Sequence, residues 1–143
     1  MIVGLGIDVV VVARWARNLA DVAAQVFTAQ ELAACADRVD RLDALAARFA
    51  AKEACLKALG AGIQRGGLRQ VEVVSAAGRA PRLRLSGALA ERACEARVRT
   101  AHVSLTHHEG VAAAVVILEA TKTRRRRAPP EPWTLDTVSS GTW

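Results

Sequence analysis

The sequence predicts one compact domain that mixes helices with strands. Three observations carry this: a β-branched apolar run over 2–12, a long helical pattern from about Asp40 to Leu59, and an alternating segment and a last strand that close as a β-hairpin before residue 120. At 143 residues the chain allows one ordinary domain and not two.

The opening run, Ile2 to Val12, reads as a strand. Val3, Leu5, Ile7, Val9 and Val11 share one face, and Ile2, Gly4, Gly6, Asp8, Val10 and Val12 share the other. A short helix follows over 13–20, running on toward Val26. Thr28 and Glu31 have capping-box spacing and start the next helix. The long helix has Asp40 as its N-cap, Asp43 in its first turn, and Gly60 and Gly62 to end it. Leu42, Leu45, Ala46, Phe49, Leu56 and Leu59 form its broad apolar stripe. After the Gly66-Gly67 loop, residues 70–75 read as a strand, 78–81 as a turn and 82–85 as a half-buried strand. Ser86 caps a helix over 87–99. His102 to Thr106 and Val111 to Glu119 form the closing hairpin around a turn at 107–110.

Hydrophobic residues make up 52% of the chain but aromatics only 3%, so the core must be built from Ala, Val, Leu and Ile. In a domain of this size, small side chains leave apolar surface over, and part of it is expected to be buried between subunits. The net charge is +6. Residues 121–143 supply +3 of it through Lys122 and Arg124–Arg127 against Glu131 and Asp136, leaving +3 for residues 1–120. The folded part is thus mildly basic, which favours an acidic partner or an anionic ligand. The chain divides into a domain over 1–120 and a basic, Pro-containing tail over 121–143 that is expected to be disordered. Cys35, Cys55 and Cys94 are odd in number and lack a CxxC, so they read as buried reduced thiols of a cytoplasmic protein. Neither a signal peptide nor a membrane-spanning run is apparent.

Two carboxylates stand out. Asp8 lies within an apolar strand, where a lone charge is costly, and Gly4 and Gly6 leave space on its face. The plain alternative is a strand-end residue bonding backbone amides. Glu53 falls inside the apolar stripe, between Phe49 and Leu56. Its plain alternative is an i,i+4 ion pair with Lys57, worth only about 0.3–0.5 kcal/mol when exposed. Two acids on well-formed elements, with cations nearby, suit Mg²⁺, which takes one or two carboxylates together with water and phosphate oxygens. Arg48 and Lys52 add cations on an adjoining flank of the helix, and His102, Ser104, His107 and His108 cluster on the last hairpin. Zinc, nucleophile-elbow and P-loop motifs are missing, and the isolated G-x-G of Gly4 and Gly6 is weak evidence for a dinucleotide.

Gly6-Ile7-Asp8, then Phe49-Ala-Ala-Lys52-Glu53-Ala-Cys-Leu-Lys57, then His102-Val-Ser104-Leu-Thr-His107 resemble the 4′-phosphopantetheinyl transferases. Arg48, Ala58-Leu-Gly60 and the Phe27 to Glu31 segment look like the short, single-domain class, and the resemblance covers about residues 2–119. It implies an α+β fold, a small antiparallel sheet packed against a long central helix, assembled as a homotrimer with active sites between subunits. It implies transfer of 4′-phosphopantetheine from coenzyme A to a serine of an acidic acyl carrier protein. Asp8 and Glu53 resemble the Mg²⁺ ligands and, with Lys57, the catalytic set. The coenzyme A contacts implied are Arg48, Lys52, Lys57, Gly60, Pro81, His102, Ser104 and His107, with Gly78 to Pro81 as the turn at the adenine. Arg14 and Arg17 look like the carrier-docking arginines, although a solvated face would look the same. A different Mg²⁺-dependent phosphohydrolase would use the same carboxylates. A nucleic-acid-binding reading rests on Arg124–Arg127 and is disfavoured by the lack of stacking aromatics.

Overall fold

The computed structural model describes residues 1–62, 67–75 and 79–120. Its elements are β1 (Ile2–Val11), α1 (Val12–Ala16), α2 (Leu19–Val26), α3 (Ala29–Cys35), α4 (Arg41–Ala58), β2 (Val71–Val74), β3 (Arg82–Leu85), α5 (Gly87–Glu95), β4 (Val98–His108) and β5 (Val111–Ala120). The expected α+β class is observed. Antiparallel strands form a sheet in the order β1-β5-β4, and β2 and β3 pair separately as a small second hairpin.

Helix α4 lies across the inward face of the three-stranded sheet. Ala46, Ala47, Ala50 and Ala51 meet Val10, Ala112 and Ala114. Ala54, Cys55, Leu56 and Leu59 meet Val116, Leu118, Val71 and Leu89. Alanines let helix and sheet approach closely, which suits a core with so few aromatics. Because α4 also carries α3 and β2 on its other sides, it is buried nearly all round. An amphipathic stripe therefore understates its burial. Leu42, assigned to that stripe, is instead 45% exposed in the first turn, beyond the packed layers.

Other boundaries differ for local reasons. The helix expected over 13–20 is two helices, broken at Arg17 and Asn18. Asp40 occupies the N-cap position of α4, but its side chain makes no capping bond. The helix expected over 87–99 ends at Glu95, because Arg97 turns left-handed at φ 56° and releases the chain into β4. β4 is then longer than its alternating segment, since it pairs with β5 back to Ala120. Glu109 and Gly110, both at positive φ, make the two-residue turn whose twist suits a tight hairpin. Cys35 and Cys55 are buried as expected but Cys94 is exposed, and all three are free. Burial pushes the Cys55 thiol up to about 12. Among the described residues, none of the helices is long and apolar enough to cross a membrane. The tail over 121–143 and the loop glycines Gly66 and Gly78 lie outside the described residues.

The capping box at Thr28 forms as read: the Glu31 amide donates to Thr28 Oγ1 at 3.2 Å, and the Thr28 amide donates to Glu31 Oε2 at 2.9 Å. Glu31 also has a second duty. It is 1% exposed, accepts Lys52 Nζ at 2.7 Å, and accepts the Val73 amide at 2.9 Å on its other oxygen. Lys52, fully buried, completes its donors with the carbonyls of Leu68 and Val71 and lies over the Phe27 ring at 5.4 Å. One ion pair thus ties α3, α4 and β2 together. Removing one partner leaves a buried charge, so Lys52→Met should cost about 3–5 kcal/mol in urea unfolding. Glu31→Gln combined with Lys52→Met should cost less than the two single changes summed. Additive losses would show that the pair is not coupled.

Candidate active site

β1 comes down on α4 without side chains between them. A Cβ at Gly6 would overlap the Ala54 carbonyl oxygen, and one at Gly4 the Ala58 carbonyl oxygen. The next inward position on the strand is Asp8, which is thereby set against the helix face carrying Glu53 and Lys57. Lys57 Nζ donates to Asp8 Oδ1 at 2.8 Å and to the Ile7 carbonyl at 3.0 Å. The i,i+4 pair between Glu53 and Lys57 does not form. Lys57 bridges helix to strand instead, because the strand carboxylate is within its reach.

Glu53 is 8% exposed and makes no ion pair among the described residues. Burial raises its carboxyl above the ordinary glutamate range. The charge of Asp8 adds to that rise, and Lys57 opposes it. Asp8 and Glu53 both line a cleft of about 640 Å³ together with Arg14, Trp15, Asn18 and Phe49. The aromatic wall is built by Trp15, stacked at a tilt on Phe49 (5.6 Å between centroids) and edge-on to Phe27 (6.1 Å). Sequence reasoning did not find Trp15 or Asn18 as site residues, since neither carries a charge. Arg17 is exposed at the end of α1 and does not line the cleft, whereas Arg14 does.

A second, smaller cleft of about 200 Å³ gathers Arg48, Pro81 and His107 with Arg38 and Ser75. His107 reaches it because it shares the inward side of β4 with Val103 and Leu105. Arg48 is 7% exposed; its Nη1 donates to the Ala44 carbonyl at 3.2 Å and its Nη2 to Ser75 Oγ at 3.3 Å. Its Nε is buried without a partner among the described residues. Arg48 and Glu53 are five residues apart on α4, about 140° around the helix, so the two clefts open on different sides of it.

Four of the residues expected at the ligand line neither cleft within one chain. Lys52 is withdrawn into the core, its donors spent on Glu31 and two carbonyls, and it reaches neither cleft. Gly60 ends α4 at φ 61°. The Ala61 amide returns to the Leu56 carbonyl at 2.9 Å, and Arg92 donates to the carbonyls of Leu59 and Gly60, both at 2.7 Å. His102 and Ser104 project from the sheet face turned away from α4, where His102 Nε2 meets Glu119 Oε2 at 2.9 Å. Within one chain they take no part in either cleft. Gly78 lies outside the described residues.

A pair of carboxylates without a third His, Cys, Asp or Glu among the described residues is a poor cage for zinc or calcium. It suits Mg²⁺, which keeps waters and takes phosphate oxygens. The penalty on ionised Glu53 beside Asp8 is what a shared divalent cation would relieve.

The family model of the 4′-phosphopantetheinyl transferase superfamily matches residues 4–116. A protein of Anaeromyxobacter dehalogenans named holo-[acyl-carrier-protein] synthase is 48% identical over 129 residues, covering 85% of this chain and 98% of that protein. Among solved structures, holo-[acyl-carrier-protein] synthase from Neisseria meningitidis superposes with TM-score 0.74 at 30% identity, covering 83% of this chain and 99% of that one. The holo-(acyl-carrier-protein) synthase from Bacillus anthracis, described in complex with CoA (3′,5′-ADP), gives TM-score 0.70 at 30% identity over 85% of this chain and 99% of that one.

The raised Glu53 carboxyl has a stability consequence. The native state holds that proton more tightly than the unfolded chain, so stability is full below the ordinary glutamate range and is lost as pH rises through the raised value. Glu53→Gln removes the penalty. Its melting temperature should match the parent at pH 4 and equal or exceed it at pH 7.5 without divalent cation. A variant that melts lower at both values would show that Glu53 is structural.

Proposed function

The chain belongs to the 4′-phosphopantetheinyl transferase superfamily, and we propose that it transfers 4′-phosphopantetheine from coenzyme A to a serine of an apo acyl carrier protein, releasing 3′,5′-adenosine bisphosphate. The observation that carries this reading is the meeting of Asp8 and Glu53 in one cleft with Lys57 held on Asp8.

In the proposed mechanism Asp8 and Glu53 would hold Mg²⁺. The ion supplies charge neutralisation at the phosphate oxygens. Lys57, half exposed and reaching over the strand, is free to exchange Asp8 for a phosphate oxygen and offset charge on the leaving group. The carrier serine hydroxyl attacks the β-phosphorus, the P–O bond to the adenosine bisphosphate breaks, and the serine proton goes to Glu53 directly or through a water. Arg14, on the cleft rim, takes the acidic recognition helix of the carrier, with Arg17 further along the same surface.

We infer that Arg48, His107 and Pro81 receive the 3′-phosphoadenosine end. Their cleft opens on another side of α4 from the carboxylates, so one nucleotide would use the acidic cleft of one subunit and the basic cleft of the next. The exposed apolar face of β1 supports such an assembly: Leu5, Ile7 and Val9 are each about 60% exposed on one side of the sheet. A homotrimer is the assembly that the resemblance implies.

The test is mass spectrometry of apo carrier proteins incubated with the chain, coenzyme A and Mg²⁺. The parent should add the phosphopantetheine mass, and chelation of Mg²⁺ should stop it. Glu53→Gln should abolish transfer while melting and sedimenting like the parent. Normal turnover by that variant would refute the site, and adenosine bisphosphate released without modified carrier would indicate a hydrolase.

A further inference from the structure

Beside the basic cleft, in contact with two of its lining residues, stands a carboxylate that the proposed reaction does not use. Asp40 faces Arg38 as a two-point pair: Arg38 Nε to Oδ1 at 2.8 Å and Nη2 to Oδ2 at 2.6 Å. Oδ2 also lies 3.4 Å from His107 Nε2. Arg38 and His107 both line the cleft, together with Arg48, Ser75 and Pro81.

Asp40 stands at the N-cap of α4 and is of the residue type that caps best, yet its side chain makes no capping bond. Only its carbonyl serves the helix, accepting the Ala44 amide at 2.9 Å. Its carboxylate has turned to the cations instead. Beside it are the Arg38 guanidinium, which stays charged at any working pH, and the His107 imidazole. Arg48 keeps a buried Nε without a partner among the described residues, and its other bonds are long at 3.2 and 3.3 Å. The cleft therefore has more donors than internal acceptors, and the fork of Arg38 that best fits a phosphate is filled by Asp40.

Resting on the reading that this cleft takes the 3′-phosphate, we propose that Asp40 is a resident counter-anion that the ligand's phosphate displaces from Arg38, making Arg38 a phosphate-binding residue and Asp40 the residue that holds down affinity for the 3′-phosphorylated nucleotide. A dianionic phosphate offers more charge and more acceptor oxygens than one carboxylate, so it can take the fork. A nucleotide without that phosphate cannot, and leaves the Arg38–Asp40 pair closed. Asp40 thus lowers affinity for every ligand that must compete with it and spares the rest.

Asp40→Asn tests this. The amide keeps the size of the side chain, can still cap the helix, and cannot hold Arg38 as an ion pair. Calorimetric titration of the full chain with 3′,5′-adenosine bisphosphate and with 5′-AMP reads the two cases. Asp40→Asn should tighten the bisphosphate by about two- to fivefold and leave 5′-AMP unchanged, the size expected for releasing one partly exposed ion pair. The gain should vanish when Arg38→Gln is already present, and Arg38→Gln alone should weaken the bisphosphate. Unchanged or weaker bisphosphate binding by Asp40→Asn, or an equal gain for 5′-AMP, would overturn the inference while leaving the transferase reading intact. A parent chain that binds neither nucleotide would overturn both.

Discussion

Everything at the acidic cleft depends on how closely β1 lies on α4. Gly4 and Gly6 face the carbonyl oxygens of Ala58 and Ala54 with no room for a methyl group. That contact is backbone on backbone, so it cannot be relaxed by a rotamer change. It fixes the depth of the strand, and the depth fixes Asp8 opposite the turn that carries Glu53 and Lys57. The same pleat turns Leu5, Ile7 and Val9 outward. An exposed apolar face is thus the geometric counterpart of a buried glycine-and-acid face, and both follow from the alternation of one strand.

Helix α4 then divides the chemistry by rotation around its axis. Arg48 points to the basic cleft, Lys52 into the core and Glu53 to the acidic cleft. Lys52 and Glu53 are adjacent in sequence and about 100° apart in direction, so their environments share little. Lys52 meets Glu31 and two carbonyls, while Glu53 meets a neighbouring negative charge. One acid is fully partnered and ties three elements together. The other is left under strain where a cation could relieve it. Under the proposed function, fold stability and reactivity are therefore held by different carboxylates, and nothing in the contacts of Glu53 ties it to the node at Glu31.

Much of this was legible in the sequence where the signal was local. The capping box at Thr28, the glycine end of α4, the closing hairpin, and the anomaly of Asp8 and Glu53 all read correctly from spacing and side-chain type. What spacing cannot supply is which side of an element meets which neighbour. Lys52 lies in the same motif as Glu53, and only the packing of α3 and β2 shows that it is buried. Leu42 fits the period of α4 but extends past the layers that would cover it. His102 and Ser104 alternate with the buried Val103 and Leu105, and nothing local says that their face is turned from the helix. Asp40 is the reverse case: its position at the cap was legible, but the competing pull of Arg38 and His107 depends on where β4 arrives. Trp15 and Asn18 gave no signal because an uncharged wall residue looks like any other.

The two clefts differ in sign, and that difference constrains what each can hold. An acidic pair repels phosphate, so under the proposed function a divalent cation between Asp8 and Glu53 would be what lets that cleft hold an anion. Lys57, already neutralised by Asp8, does not reverse that sign alone. The cleft of Arg38, Arg48 and His107 would need no metal, because its donors can meet a phosphate directly, and the carboxylate beside it, Asp40, is already matched to one of them. A ligand with a pyrophosphate at one end and a separate phosphate monoester at the other answers both requirements: the pyrophosphate chelates a cation, and the monoester takes bare guanidiniums. Exchanging the two ends would leave a monoester on a metal site that it chelates less well and a pyrophosphate in a cleft of only about 200 Å³. Polarity and size would thus orient a ligand of that kind, across a helix that keeps the two clefts of one chain apart.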